Sequence, residues 1–102
     1  MKLELMIEKL ADTKLVVHAE TADFNANYFY STTNEIYALY KSLHMVIQNH
    51  KGATYDVITN SDAFAYELRR YAKSGQRLAN LTQEKLVRNY SKITSVTVKE
   101  ID

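Results

Sequence analysis

Between Arg69 and Lys92 the chain carries Arg69, Arg70, Lys73, Arg77, Lys85, Arg88 and Lys92 against one acid, Glu84, with Tyr71 and Tyr90 interleaved. Cationic side chains at that density can neutralise phosphates. The bland alternative is a set of solvated helix faces, since the formal net charge of the whole chain is only +1 and a charge run without a motif fixes no geometry. Acidic groups that could serve a hard cation are Glu4, Glu8, Glu35 and Asp62, far apart in sequence. Metal chemistry would need several of them converging on one point. The histidines His18, His44 and His50 show no metal-ligand spacing and read as ordinary surface residues.

Other chemistries lack raw material. There is no cysteine, which excludes disulfides, thiolate zinc sites and cysteine nucleophiles and fits a reducing compartment. Glycine occurs only at Gly52 and Gly75, so a glycine-rich phosphate loop cannot be built. No cofactor is expected. The N-terminal segment alternates charged and apolar residues, and no apolar run reaches the ~18 residues of a membrane span. A cytoplasmic location and no membrane partner are the expectations. With 102 residues, 46% hydrophobic and 25% charged, the chain reads as one folded domain spanning residues 1–102.

The elements that must position these groups follow from periodicity. Residues 2–9 alternate, with Leu3, Leu5 and Ile7 on one face and Glu4, Met6 and Glu8 on the other, which predicts a half-buried strand. Lys14–Glu20, with Val16 and Val17, predicts a second strand hairpinned to it, and the aromatic run within Asn25–Ser31 a third. The period then changes. Thr33 or Asn34 can cap a helix with Glu35 in its first turn, and Ile36, Leu39, Tyr40, Leu43, Val46 and Ile47 recur at helical spacing to about Asn49. Tyr55–Thr59 predicts a short buried strand, and Asn60, Ser61 and Asp62 offer caps to a second helix burying Phe64, Leu68 and Tyr71. Lys73–Gln76 breaks that helix, Leu81–Tyr90 predicts a third, and Ile93–Ile101 a closing strand. The order βββαβαβ implies an α+β, α/β-like domain: a mixed sheet with helices packed on it.

Two segments carry a resemblance beyond topology. Ser31-Thr32-Thr33-Asn34-Glu35-Ile36-Tyr37-Ala38-Leu39 resembles the Thr/Asn-rich turn and first helix of the ribonuclease H family, and Tyr55-Asp56-Val57-Ile58-Thr59-Asn60-Ser61 resembles its strand ending in Thr-Asp-Ser. The match covers residues 14–72 and extends to the last strand by topology. It implies a ribonuclease H-like fold and, in members that cut, about four carboxylates holding two divalent metals. By position Glu35 matches the family's helix Glu, whereas Asn60 stands where the strand-end Asp would be. The family's Asp-Gly-Ser after the first strand has no counterpart, and the chain reaches Asp102 without the final helix that carries the last carboxylate. Glu35 and Asn60 are therefore expected to be vestigial positions with no catalytic set and no bound metal. Asp62 is read as a first-turn acid complementing its helix dipole.

Three functions follow as expectations. The first is a non-catalytic binding module that occupies a protein or protein–RNA partner through Arg69, Arg70, Lys73, Arg77, Lys85, Arg88 and Lys92, with Tyr37, off the apolar stripe of its helix, as an exposed anchor. Its size suits a phage or mobile-element inhibitor of anti-CRISPR type, which would block guide-RNA or nucleic-acid binding by an RNA-guided nuclease, with or without direct RNA or DNA contact. The alternative is a minimal ribonuclease H-like nuclease acting on RNA or an RNA–DNA hybrid with Glu35, Asp62, a first-strand Glu and Mg²⁺ or Mn²⁺. A third is self-association, monomer against homodimer, through an exposed strand edge or through the tyrosines, of which Tyr28, Tyr30, Tyr40, Tyr55 and Tyr66 are read mainly as core.

Overall fold

The computed structural model describes residues 1–50, 53–74 and 93–99, residues 71–74 by their backbone. The elements are β1 (Lys2–Ala11), β2 (Lys14–Glu20), β3 (Asn25–Tyr30), α1 (Glu35–Asn49), β4 (Tyr55–Thr59), α2 (Asp62–Ser74) and β5 (Ile93–Val98). β2 and β4 fall where the residue pattern puts them. β1 runs two residues further than expected, β3 stops one residue earlier, and β5 ends at Val98 instead of Ile101. The helix expected over Leu81–Tyr90 lies outside the described residues.

The described strands form one sheet in the order β3-β2-β1-β4-β5. β1 and β2 pair antiparallel, with Leu5 opposite Ala19 and Ile7 opposite Val17, and β3 pairs antiparallel with β2 over six residues without a bulge. β4 lies parallel to β1, with Leu3 opposite Val57 and Leu5 opposite Thr59, and β5 parallel to β4. Parallel neighbours require crossovers, which is the job of α1 before β4 and of the segment containing α2 before β5.

α1 starts where Asn34 accepts the Tyr37 N–H on its side-chain oxygen and Glu35 complements the helix dipole. Its face of Ala38, Leu39, Leu43 and Val46 is fully buried. α2 is capped in the same way, the Ser61 hydroxyl accepting the Phe64 N–H. Both helices enter one apolar core with Leu3, Leu5, Val17, Val57, Phe64 and Leu68, each large aliphatic side chain there contributing about 1.5–3 kcal/mol by leaving water. Tyr40 and Phe64 join the two helices edge to face, with ring centroids 4.9 Å apart. Strand alternation sends Glu4, Met6, Glu8, Val16, His18, Asn27, Phe29 and Ile58 to the opposite face of the sheet.

Tyr30 ties β3 to α1. Its hydroxyl lies 2.7 Å from the buried Ser42 hydroxyl, which donates to the Ala38 carbonyl at 2.8 Å, so the Tyr30 O–H is the donor to Ser42. Tyr55 closes the other end of α1 by donating to the His50 carbonyl.

Candidate functional site

Ligand sites of parallel strands form beyond their C-termini, which in β4 is the position of Asn60. Asn60, the residue after β4, donates from Nδ2 to the Ile7 carbonyl at 2.9 Å and accepts the Ile7 N–H on Oδ1 at 2.8 Å. Its amide thus continues the β1–β4 ladder by one step with a side chain instead of a backbone. An aspartate at this position has no donor for the Ile7 carbonyl. The amide is what this geometry requires.

The acids around this point have separate duties. Glu35 is exposed at the start of α1. Glu4 lies 3.4 Å from Lys99 Nζ, and Glu8 lies 3.4 Å from His18 Nε2. Asp62 is the first residue of α2 and is exposed. Among the described residues no group of three or more histidines and acids is placed to hold a metal ion. The two-metal set implied by the family resemblance therefore does not fit the residues described.

Two of the basic residues singled out by charge are brought to one groove. Tyr66, Arg69 and Arg70 on α2 face Ile93, Thr94, Ser95 and Val96 of β5 across a volume of about 610 Å³, within the usual range for a ligand pocket. Arg69 is oriented by a 2.9 Å hydrogen bond from Nε to the Val96 carbonyl. Ile93, Val96 and the Tyr66 ring supply apolar walls. On the neighbouring strand the Thr94 and Ser95 hydroxyls donate to the Asp56 carboxylate, and these bonds hold its pKa below the ordinary carboxylate value. Lys73 lies on α2, described by its backbone, while Arg77, Lys85, Arg88 and Lys92 lie outside the described residues.

Tyr66, one of a set of tyrosines of which most are read as core, is 64% exposed. The signal was present: Tyr66 stands three and four positions before Arg69 and Arg70, on the same polar helix face as the arginines. Tyr40 and Tyr55 are fully buried as expected, and Tyr28 and Tyr30 are half-buried, with burial raising the pKa of Tyr28, Tyr30 and Tyr55. Tyr37, expected as an exposed anchor, is half-buried at the outer side of α1. Lys41 Nζ sits 5.8 Å from the Tyr30 ring centre and 5.7 Å from that of Tyr37, within cation–π range of both.

All three histidines are half-buried. His18 Nδ1 lies 2.6 Å from Asn27 Oδ1, with Glu8 on its other nitrogen, so one ring links β1, β2 and β3. His50 donates from Nδ1 to the Val46 carbonyl and packs edge-on against Phe24.

No family model matches the chain, and no curated protein does. Solved structures do. The ribonuclease H1 of the halophilic archaeon Halobacterium salinarum NRC-1 superposes with a TM-score of 0.53 at 4% identity, over 99% of this chain and 86% of that one. The N-terminal ribonuclease H domain of a Mycobacterium tuberculosis protein, solved as a fusion with maltose-binding protein, gives a TM-score of 0.52 at 14% identity, over 100% of this chain and 88% of that one. At such identities the likeness establishes the fold: a ribonuclease H-like mixed sheet with α1 and α2 packed on it. No helix among the described residues is long and apolar enough to cross a membrane.

Proposed function

We propose that this chain is a non-catalytic binding module on a ribonuclease H-like fold, and that it grips a nucleoprotein partner by phosphate at the groove between α2 and β5. The observation that carries this reading is Arg69, whose Nε is held on the Val96 carbonyl while Arg70 and the exposed Tyr66 ring line the same groove. An arginine oriented through Nε keeps its terminal amino groups for an outside acceptor, in the planar fork that suits phosphate. Lys73, Arg77, Lys85, Arg88 and Lys92 join the proposal on charge alone. That the module does not cut is argued from Asn60, whose amide is engaged with the Ile7 main chain at the position where the family carries a carboxylate.

The finer form of the proposal is a stoichiometric inhibitor, of anti-CRISPR type, that blocks loading of guide RNA or nucleic acid into an RNA-guided enzyme. A cationic groove supports it, since such enzymes hold nucleic acid in charged channels.

Fluorescence polarisation with labelled single-stranded RNA, single-stranded DNA and an RNA–DNA hybrid tests the groove. Binding should weaken in Arg69→Ala/Arg70→Ala, with the salt slope reduced by roughly 0.7–0.9 per lost phosphate contact. Identical binding by wild type and double variant removes the groove from the proposal. Incubation with Mg²⁺ or Mn²⁺ tests the rest: metal-dependent cleavage abolished by Glu35→Gln would replace the binding module with a minimal nuclease. The inhibitor form is tested by titrating the protein into an RNA-guided nuclease before and after guide loading, where an unchanged cleavage rate at excess inhibitor rules it out for that enzyme.

A further inference from the structure

The two outer strands of the sheet are defended very differently. At β5 the Arg69 side chain caps the Val96 carbonyl, and the β4–β5 register shifts between Tyr55 and Asp56. Capping groups and irregular register are usual devices that stop an edge from recruiting another strand. Among the described residues β3 has none of them. Its residues Asn25, Ala26, Asn27, Tyr28, Phe29 and Tyr30 include no charge, proline or glycine, and all six pair with β2 in unbroken register. Phe29 is 70% exposed on one face of this strand, and on the other Tyr30 and Tyr37 flank Lys41. A regular, neutral, aromatic strand is a template for pairing.

The charges at its two ends say with what. The β2 and β3 register places Glu20 opposite Asn25 and Leu15 opposite Tyr30. Glu20 and Asp23 therefore lie at the end where β3 begins, and Lys14 and Lys41 at the end where it finishes, together with Asp12 of the β1–β2 turn and Glu35 at the start of α1. Antiparallel pairing of β3 with β3 of another copy sets Glu20 and Asp23 beside the partner's Lys14 and Lys41. Parallel pairing would set Glu20 and Asp23 beside their own counterparts, at a cost.

We infer that β3 is a self-association edge, at which a second copy of this chain adds antiparallel about a two-fold axis to continue the sheet. Residues directly opposite in an antiparallel pair share a face, so a two-fold pairing is centred on one residue, Asn27 or Tyr28. Either centre keeps Phe29 of both copies on one side of the joined sheet and the Tyr30, Tyr37 and Lys41 groups on the other. This contact is at the opposite edge from the α2–β5 groove and does not depend on it.

Sedimentation over a concentration series tests the inference directly. The wild-type chain should show a monomer–dimer equilibrium, weakened at least tenfold by Phe29→Lys, a change at an exposed position that should leave the circular dichroism spectrum intact. The absence of native cysteine permits a second readout. Asn27→Cys or Tyr28→Cys, whichever lies at the centre, should oxidise to a covalent dimer, because opposed residues in an antiparallel pair fall within disulfide reach. Thr97→Cys, exposed on β5, should not. A monomer at all concentrations overturns the inference. So does a dimer untouched by Phe29→Lys, or one cross-linked through Thr97→Cys and by neither β3 cysteine.

Discussion

Asn60 and Ile7 are joined by two hydrogen bonds across 53 positions of sequence, the side-chain amide of one pairing with both main-chain groups of the other. The pair seals the β1–β4 junction at the point where backbone pairing ends, so replacing the amide tests that junction.

For stability, Asn60→Asp removes the donor to the Ile7 carbonyl and faces that oxygen with a carboxylate. A loss of about 1–3 kcal/mol is expected at neutral pH, measured by urea denaturation. The penalty should shrink as pH falls toward the ordinary carboxylate pKa of about 3.9 and be smallest below it, where a protonated Asp can donate. Asn60→Ala should cost a similar amount with no such pH dependence. Equal curves for the two variants would show that the lost donor, not the added charge, is the whole effect.

The Tyr30–Ser42–Ala38 relay predicts a graded response. Ser42→Ala leaves the half-buried Tyr30 hydroxyl without its acceptor and should destabilise the chain by about 1–3 kcal/mol. Tyr30→Phe in the Ser42→Ala background should add little, since its polar partner is already gone. A double-mutant cycle measures the difference.

Acid sensitivity should involve Asp56. Its carboxyl is held low by the Thr94 and Ser95 hydroxyls, so the folded state binds that proton less readily than the unfolded chain does. The resulting stability is present above the unfolded carboxylate pKa and disappears as pH falls through the lowered folded value. In Thr94→Val/Ser95→Ala the acid limb of the stability curve should flatten, as read by thermal unfolding between neutral and strongly acidic pH.

At the alkaline end the sign reverses. Burial raises the phenol pKa of Tyr28, Tyr30 and Tyr55, so stability from these groups is complete below about pH 10, the unfolded value, and is lost as pH rises through the raised folded values. Unfolding above that pH should coincide with the ultraviolet signal of tyrosinate, and Tyr55→Phe should shift the transition upward in pH.

The core sets a larger scale. Leu43 is fully buried on α1, and Leu43→Ala should cost about 2–5 kcal/mol, a large share of the 5–15 kcal/mol that holds a domain together. Chemical denaturation measures it directly.

Much of this architecture is legible in local pattern, because burial imposes period two on β1 and a helical stripe on α1, and because Asn34 and Ser61 are cap residues wherever a helix must start. The strand ends of β2 and β4 follow from abrupt changes in polarity. What local pattern does not carry is partnership across distance. Nothing near Asn60 announces Ile7, and nothing near His18 announces Glu8 and Asn27, since each contact is created only when β1 joins its neighbours. The exposure of Tyr66 is hidden for a related reason: an aromatic on an amphipathic helix is apolar enough for the core, and its neighbours Arg69 and Arg70 show the exposed face only once Phe64, Ala65 and Leu68 fill the buried one.

β1 lies at the centre of the sheet, yet one of its two neighbours is made late. During synthesis β2 can pair with it, and β3 with β2, as soon as they leave the ribosome, while β4, beginning at Tyr55, follows only after the whole of α1. Until then the nascent chain displays the unpaired side of β1 beside Leu3 and Leu5, a transient sticky edge of the kind that invites misassembly. The arrival of β4, completed by Asn60 closing on Ile7, is the event that retires that hazard.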